Sequence, residues 1–311
     1  MSDRYVPGAG LPVGLPLGSE TDLEKSQVSA VLLTRRGTNT PHPSAAEQAR
    51  RRVSAERLQW LESHLPERDR QVLEHVAAHR YLTTRQLEAL VFTGHTSEDS
   101  AARTARRVLA RLGRSGLLAS LERRVGGVRA GSSANVWQLT SASARLLRSD
   151  GLNFRRIAPS PRFLRHCLAV GDVHVVLRSL ATETRRVRVA VEPESWRTFL
   201  GPGGERRTLE PDLAALIETP AYEERWFLEV DLGTESLPTL LRKCDVYEAY
   251  RATGAEQEAH GSFPLVWWIL TDSTRAARLR DAVRRAPRLT PGLFVIVTVN
   301  ALTGALVEAT A

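Results

Sequence analysis

Residues 97–127 read SEDSAARTARRVLARLGRSGLLASLERRVGG, and the period changes part-way along. Ala101, Ala105, Val108, Leu109 and Leu112 recur at helical spacing and form one apolar stripe. Ser97 to Ser100 offer caps, so the spacing predicts a helix over Ala101 to Arg114. Arg103, Arg106, Arg107, Arg111 and Arg114 take the remaining faces. Gly116-Leu117-Leu118 then opens a strand ending in Arg123-Arg124, Gly126-Gly127 marks a turn region before Arg129, and a second strand lies around Val136 to Leu139.

Upstream, Arg68 to Tyr81 reads as a helix with Val72, Leu73, Val76 and Ala77 on one face. Thr83-Thr84 caps a short helix from Arg85 to Phe92, which buries Leu87, Leu90 and Val91 before Gly94 breaks it. Downstream, a Leu-Thr-Ser-Ala opening at Leu139 starts a closing helix through Leu147. Three helices followed by a hairpin make a winged helix-turn-helix, whose third helix enters the major groove while the wing reaches phosphates or the minor groove.

Charge supports that placement. Of the formal net charge of +8, residues 50–130 carry +7, residues 1–49 carry −1 and residues 131–311 carry +2. A polyanion is therefore expected to bind the first half, and the partner is read as double-stranded DNA. The candidate contacts are Arg103, Arg106, Arg107, Arg111 and Arg114 on the third helix, with Arg123, Arg124 and Arg129 on the wing. Only two of the 43 basic residues are lysine, Lys25 and Lys243, a bias that points to a genome rich in G and C, as in actinobacteria.

Residues 1–55 mix Gly, Pro, Ser and Thr without period and are expected to be a mostly disordered arm. A helix is expected to begin near Ala45 and carry Arg50-Arg51-Arg52, which reads as a solvated face. The chain then divides into 56–150, the winged helix-turn-helix, and 151–311. No run approaches a membrane span, Phe263 to Leu270 reading as a buried strand, and no basic-then-apolar signal opens the chain, so a cytoplasmic location is expected. Cys167 and Cys244 are too few for a disulfide framework or a cysteine zinc site and read as packed thiols.

The second half predicts a long helix over 161–183 and strands at Val187 to Val191, Asp212 to Ile217 and Trp226 to Leu232. A helix over Leu237 to Ala252, a strand at Pro264 to Leu270, a helix over Thr274 to Arg285 and a strand at Leu293 to Val299 complete an α/β sandwich around a mixed sheet. The fold class is thus α+β. Within it, Glu229 and Asp231 alternate onto one face of a strand, where two like charges must be exposed, paired with cations or neutralised by a metal. If the preceding strand pairs alongside, Asp212 and Glu229 could chelate one hard cation such as magnesium. Lys243 follows on the next helix.

The run Pro211-Asp212, Glu229-Val230-Asp231-Leu232-Gly233-Thr234-Glu235, Lys243 and Tyr247 or Tyr250 resembles the replication-relaxation family. These are proteins of actinobacterial and related plasmids and mobile elements, associated with plasmid replication and DNA relaxation. The resemblance covers roughly residues 65–300 and is most specific over 209–250. It implies a winged helix followed by a restriction-endonuclease-like domain similar to PD-(D/E)XK nucleases. By position, Asp212 and Glu229 would bind magnesium, with Glu192 or Glu194 as the auxiliary acid. The chain departs from that pattern at Asp231, which stands where the nuclease lysine belongs, and Lys243 could replace that lysine from the helix. Asp231 and Lys243 are the candidate catalytic residues.

The implied function is a DNA-binding protein of replication or relaxation that acts as a magnesium-dependent endonuclease, with replication or mobilisation proteins as further partners. The alternative is a non-catalytic regulator or replication-initiation factor with a degenerate nuclease domain, and a protein-binding scaffold is a third reading. His75 and His79 are spaced like metal ligands but lack the HExxH glutamate and read as structural. His166 and His174 flank the long helix; His166 could border the site but reads rather as a core or surface residue, and Tyr247 and Tyr250 read as helix packing. No phosphate-cradling GxxxxGK[ST] loop and no His-hydrophobe-His triplet occurs.

Overall fold

Side-chain caps decide where many of the helices begin. In the computed structural model, which describes residues 53–95, 97–121, 135–147 and 159–310, Ser54, Thr83, Ser97, Thr140, Ser160, Ser236 and Asp272 each accept a hydrogen bond from a backbone N–H three residues on. They open α1 (Ala55–His64), α3 (Thr84–Val91), α4 (Glu98–Arg114), α5 (Ser141–Leu146), α6 (Pro161–Ser179), α7 (Leu237–Arg251) and α9 (Ser273–Arg285). Pro66 precedes α2 (Glu67–His79). Helix α4 starts about a turn before Ala101 because Ser97 caps it and Glu98 and Asp99 favour its positive end.

In the N-terminal segment, strands β1 (Leu82–Thr83), β2 (Leu118–Leu121) and β3 (Val136–Leu139) form an antiparallel sheet in the order β1-β3-β2, with Leu82 opposite Trp137 and Leu118 opposite Leu139. The apolar faces of α2, α3 and α4 meet around Val72, Leu73, Val76, Leu87, Leu109 and Leu112, all buried. The strand expected to open at Gly116-Leu117-Leu118 is β2, which starts at Leu118, while its basic end and the turn, with Arg123, Arg124 and Arg129, lie outside the described residues. The expected arm, the helix from Ala45 and Arg50-Arg51-Arg52 also lie outside them.

In the C-terminal segment the strands are β4 (Arg186–Val191), β5 (Arg197–Leu200), β6 (Arg206–Leu209), β7 (Leu213–Glu218), β8 (Glu223–Asp231), β9 (Leu265–Leu270) and β10 (Phe294–Thr298). Five of them form a mixed sheet ordered β10-β9-β8-β7-β4, parallel from β10 to β8 and antiparallel from β8 to β4, while β5 and β6 pair as a separate ribbon. Helices α6 and α10 (Leu302–Ala309) cover one face around Leu177, Leu213, Leu228 and Leu306. Helices α7 and α9 cover the other around Phe227, Leu240, Tyr247, Trp268 and Leu279. A short helix, α8 (Ala255–His260), follows α7. The fold is therefore mixed α and β around a mixed sheet and is not a barrel. Among the described residues no helix is long and apolar enough to cross a membrane.

The sequence reading missed α1, β1, the β5–β6 ribbon, α8 and α10, and extended α6 to residue 183. Helix α6 ends earlier because the Thr182 backbone N–H donates to the Arg185 carbonyl and its hydroxyl accepts from the Arg185 N–H, which turns the chain into β4.

Helix α6 also packs against the N-terminal segment. Gln86 is buried beneath it; its side chain accepts from the Thr83 N–H and donates to the Leu168 carbonyl and to Asp172, both at 2.7 Å. His79 and His174 share a buried 2.8 Å hydrogen bond between ring nitrogens. Burial lowers their pKa values to about 4 and about 2, so both are neutral near pH 7. At Gly171 an added Cβ would sit 2.9 Å from Leu82 Cδ2 and 3.0 Å from Gln86 Nε2. Elsewhere in a helix Gly→Ala gains about 1 kcal/mol, but here overpacking costs about 1–3 kcal/mol, and Gln86 is held in place. Gly171→Ala should therefore lower the melting temperature and Gly171→Val lower it further; a rise with Gly171→Ala would show that the helices can separate freely.

Candidate functional site

The antiparallel register of β7 and β8 ends with Leu213 opposite Leu228. One step further it brings Asp212 alongside Glu229, both buried. They line a cleft of about 280 Å³ whose floor is the end of β8 (Glu229, Val230, Asp231) and whose rim is the start of α6 (Arg162, Arg165, His166). Lys243 and Trp268 line it as well.

Each acid in the cleft has a fixed partner. Asp212 accepts from the Val230 N–H at 2.7 Å and from His166 Nε2 at 3.1 Å. Glu229 accepts from Lys243 Nζ at 3.1 Å through one oxygen and from the Tyr247 hydroxyl at 2.8 Å through the other. Lys243 and Tyr247 are one helical turn apart on α7 and so reach the same carboxylate. The Lys243 ammonium also lies 3.5 Å from Glu235 and over the Trp268 ring. Asp231 pairs with Arg275 of α9 and accepts from the Gly233 N–H, while Arg275 also donates to the Glu235 carbonyl. Asp231 thus ties down the loop after β8, with both of its oxygens engaged.

The electrostatics follow from this crowding. Burial, then repulsion from Asp212, pushes the Glu229 pKa up to about 7, against the opposing pull of Lys243 and Tyr247. Burial works against the Lys243 charge, yet Glu229, Glu235 and Asp212 outweigh it and hold its pKa above the ordinary lysine value. His166 is raised, first by its hydrogen bond to Asp212. Burial raises the Cys167 and Cys244 thiols to about 12, so neither is a nucleophile near neutrality.

Of the expected acids, Asp212, Glu229 and Asp231 meet Lys243 in one cleft. Glu192 does not. It lines a smaller neighbouring cleft with Asp212 and His166, where Arg80 holds it at 3.0 Å, and Glu194 is exposed. Among the described residues no group of three or more His, Cys, Asp or Glu is arranged to hold a metal ion. Sequence reasoning weighs His166 as a residue bordering the site and Tyr247 as part of the family run, but prefers a core or surface role for the first and helix packing for the second. The i, i+4 spacing from Lys243 could have found Tyr247, but nothing local signals that His166 crosses to Asp212, 46 residues away.

On α4, Arg103, Arg107 and Arg114 fall within about 40° of one another at 100° per residue, opposite the buried stripe, with Arg106 and Arg111 on the flanks. All five are exposed. Arg111 is committed elsewhere, because its guanidinium bonds both oxygens of buried Asp69 on α2, at 2.6 and 2.8 Å. The other four have no side-chain partner among the described residues.

A family model described as replication-relaxation matches residues 73–266. The chain belongs to the replication-relaxation family. No curated protein and no solved structure matches it. The replication-relaxation match takes in all of α4 and, in the cleft, Asp212, Glu229, Asp231, Lys243, Tyr247 and His166. Membership carries a link to replication and relaxation of DNA.

The two kinds of arginine on α4 should separate on mutation. Arg111→Ala leaves a buried carboxylate without its cation and should cost about 1–3 kcal/mol of stability. The Arg103→Ala/Arg107→Ala double variant, which removes no side-chain contact among the described residues, should leave the melting temperature nearly unchanged. Equal stability losses in the two would show that the outer arginines are also structural.

Proposed function

We propose that the chain is a DNA-binding protein of plasmid or mobile-element replication and relaxation that hydrolyses phosphodiester bonds with magnesium held at Asp212 and Glu229. Residues 56–150 act as a winged helix-turn-helix that holds double-stranded DNA, and residues 151–311 as a restriction-endonuclease-like domain that acts on it. The first assignment rests on the order α2-β1-α3-α4-β2-β3 and on the arginine face that α4 turns away from its core. The second rests on one observation: two buried carboxylates end neighbouring strands at a single cleft, and a charged lysine contacts one of them.

The donor set fits a hard divalent cation. Both groups are carboxylates, their mutual repulsion disfavours holding two charges without a cation, and each oxygen retains acceptor capacity beyond its present hydrogen bond. Two protein carboxylates with the remaining positions left to water and phosphate is a common magnesium arrangement. Bound there, magnesium supplies positive charge that polarises a phosphoryl oxygen and acidifies water.

The chain's own residues do the rest. His166 and the Val230 N–H orient Asp212, and Tyr247 orients Glu229. Lys243 places a permanent ammonium in the cleft, where charge building on the phosphate is stabilised. Asp231 acts through the loop it fixes rather than at the reacting atoms. Glu192 joins only if its pair with Arg80 opens.

One feature favours the regulator reading, in which the second domain assembles with replication or mobilisation proteins and does not cleave: each Glu229 oxygen already accepts one hydrogen bond, from Lys243 or Tyr247, which a cation would have to share or displace. Supercoiled plasmid incubated with magnesium or manganese distinguishes the two. Hydrolysis predicts relaxed or linear product from the wild type and a loss of about 100-fold or more in Glu229→Ala and Asp212→Ala. DNA binding without metal-dependent product would leave the regulator.

A further inference from the structure

The cleft is lined by two arginines that its own acids do not engage. Its carboxylates are Asp212, Glu229, Asp231 and Glu235, and each already has a side-chain partner from the chain: His166, Lys243, Arg275 and Lys243 respectively. Arg162 and Arg165, on the first two turns of α6, line the same cleft and are exposed. Among the described residues neither makes an ion pair. Each has only a 3.4 Å contact to a backbone carbonyl, Arg162 to Thr234 and Arg165 to Pro161, which is long for a hydrogen bond. Elsewhere in this segment arginines near carboxylates do pair, as in Arg188–Glu218, Arg197–Glu256, Arg251–Glu248 and Arg288–Asp245. Two guanidiniums left over beside four acids are placed for an anion from outside.

We propose that Arg162 and Arg165 form a phosphate-binding subsite that grips the backbone of a nucleic-acid strand as it enters the cleft. The inference rests on the reading of the cleft as a site that engages DNA, and it adds the residues that offset the repulsion between an acidic floor and a polyanion. A guanidinium suits the task because its planar fork matches two phosphate oxygens and its charge does not titrate. The start of α6 adds the positive end of a 19-residue helix to the same rim. The subsite is separate from the arginine face of α4, so the chain contacts DNA at two places.

The test is the salt dependence of binding to a short DNA duplex, measured by anisotropy on the full chain with calcium in place of magnesium to hold off cleavage. Each phosphate contact contributes about 0.9 to the slope of log affinity against log salt. The Arg162→Ala/Arg165→Ala variant should therefore lose about 2 from the slope and bind at least several-fold more weakly at low salt. Arg162→Lys/Arg165→Lys, which keeps the charge, should recover most of the slope. A slope unchanged by the alanine pair overturns the subsite alone. A wild-type chain without salt-dependent affinity overturns the subsite together with the DNA-binding reading.

Discussion

Helix α6 is buried on two sides, against the five-stranded sheet and against α2, α3 and β1, and this double burial sets the positions of the functional groups. A helix can approach neighbours closely on both sides only where its side chains leave room, and Gly171 provides that room beside Leu82 and Gln86. Gln86 then closes the contact: it completes the capping box of α3 and spends its amide on α6. The same helix carries His166 to Asp212, five residues before Gly171. One rigid element thus touches both the arginine-bearing segment and the acidic cleft.

Within the cleft the governing constraint is the burial of two carboxylates that the β7–β8 register forces together, to which their mutual repulsion adds. Burying a second like charge beside the first is unfavourable unless cations compensate. The chain partly does so with the Lys243 ammonium, aided by hydrogen bonds from Tyr247 and His166, yet Glu229 still has a raised pKa, so compensation is incomplete. A divalent cation or protonation would complete it. The neighbouring Arg80–Glu192 pair keeps a further acid out of the cluster and so limits the repulsion.

Much of this was legible in the chain. The arginine face of α4 followed from a 3.6-residue period, and β3 matches the second strand of the hairpin read at Val136–Leu139. Asp212 beside Glu229 was conditional on strand pairing, which the register supplies. The misses share a cause. Strands β5 and β6 have four residues each and one buried apolar side chain apiece, and α10 has eight residues with Gly304 inside it, too little for a period to show. Contacts such as Arg111–Asp69 and His166–Asp212 join residues more than 40 positions apart, and a single sequence has no local mark for them.

Direct titration of manganese into the full chain, followed by calorimetry or by the loss of the free-ion magnetic resonance signal, tests the central claim most closely. The account predicts one ion per chain bound with measurable affinity, and loss of that ion in Asp212→Asn while the fold is retained. No binding by the wild type, or binding that survives Asp212→Asn unchanged, would contradict the assignment of the Asp212–Glu229 pair as a metal centre.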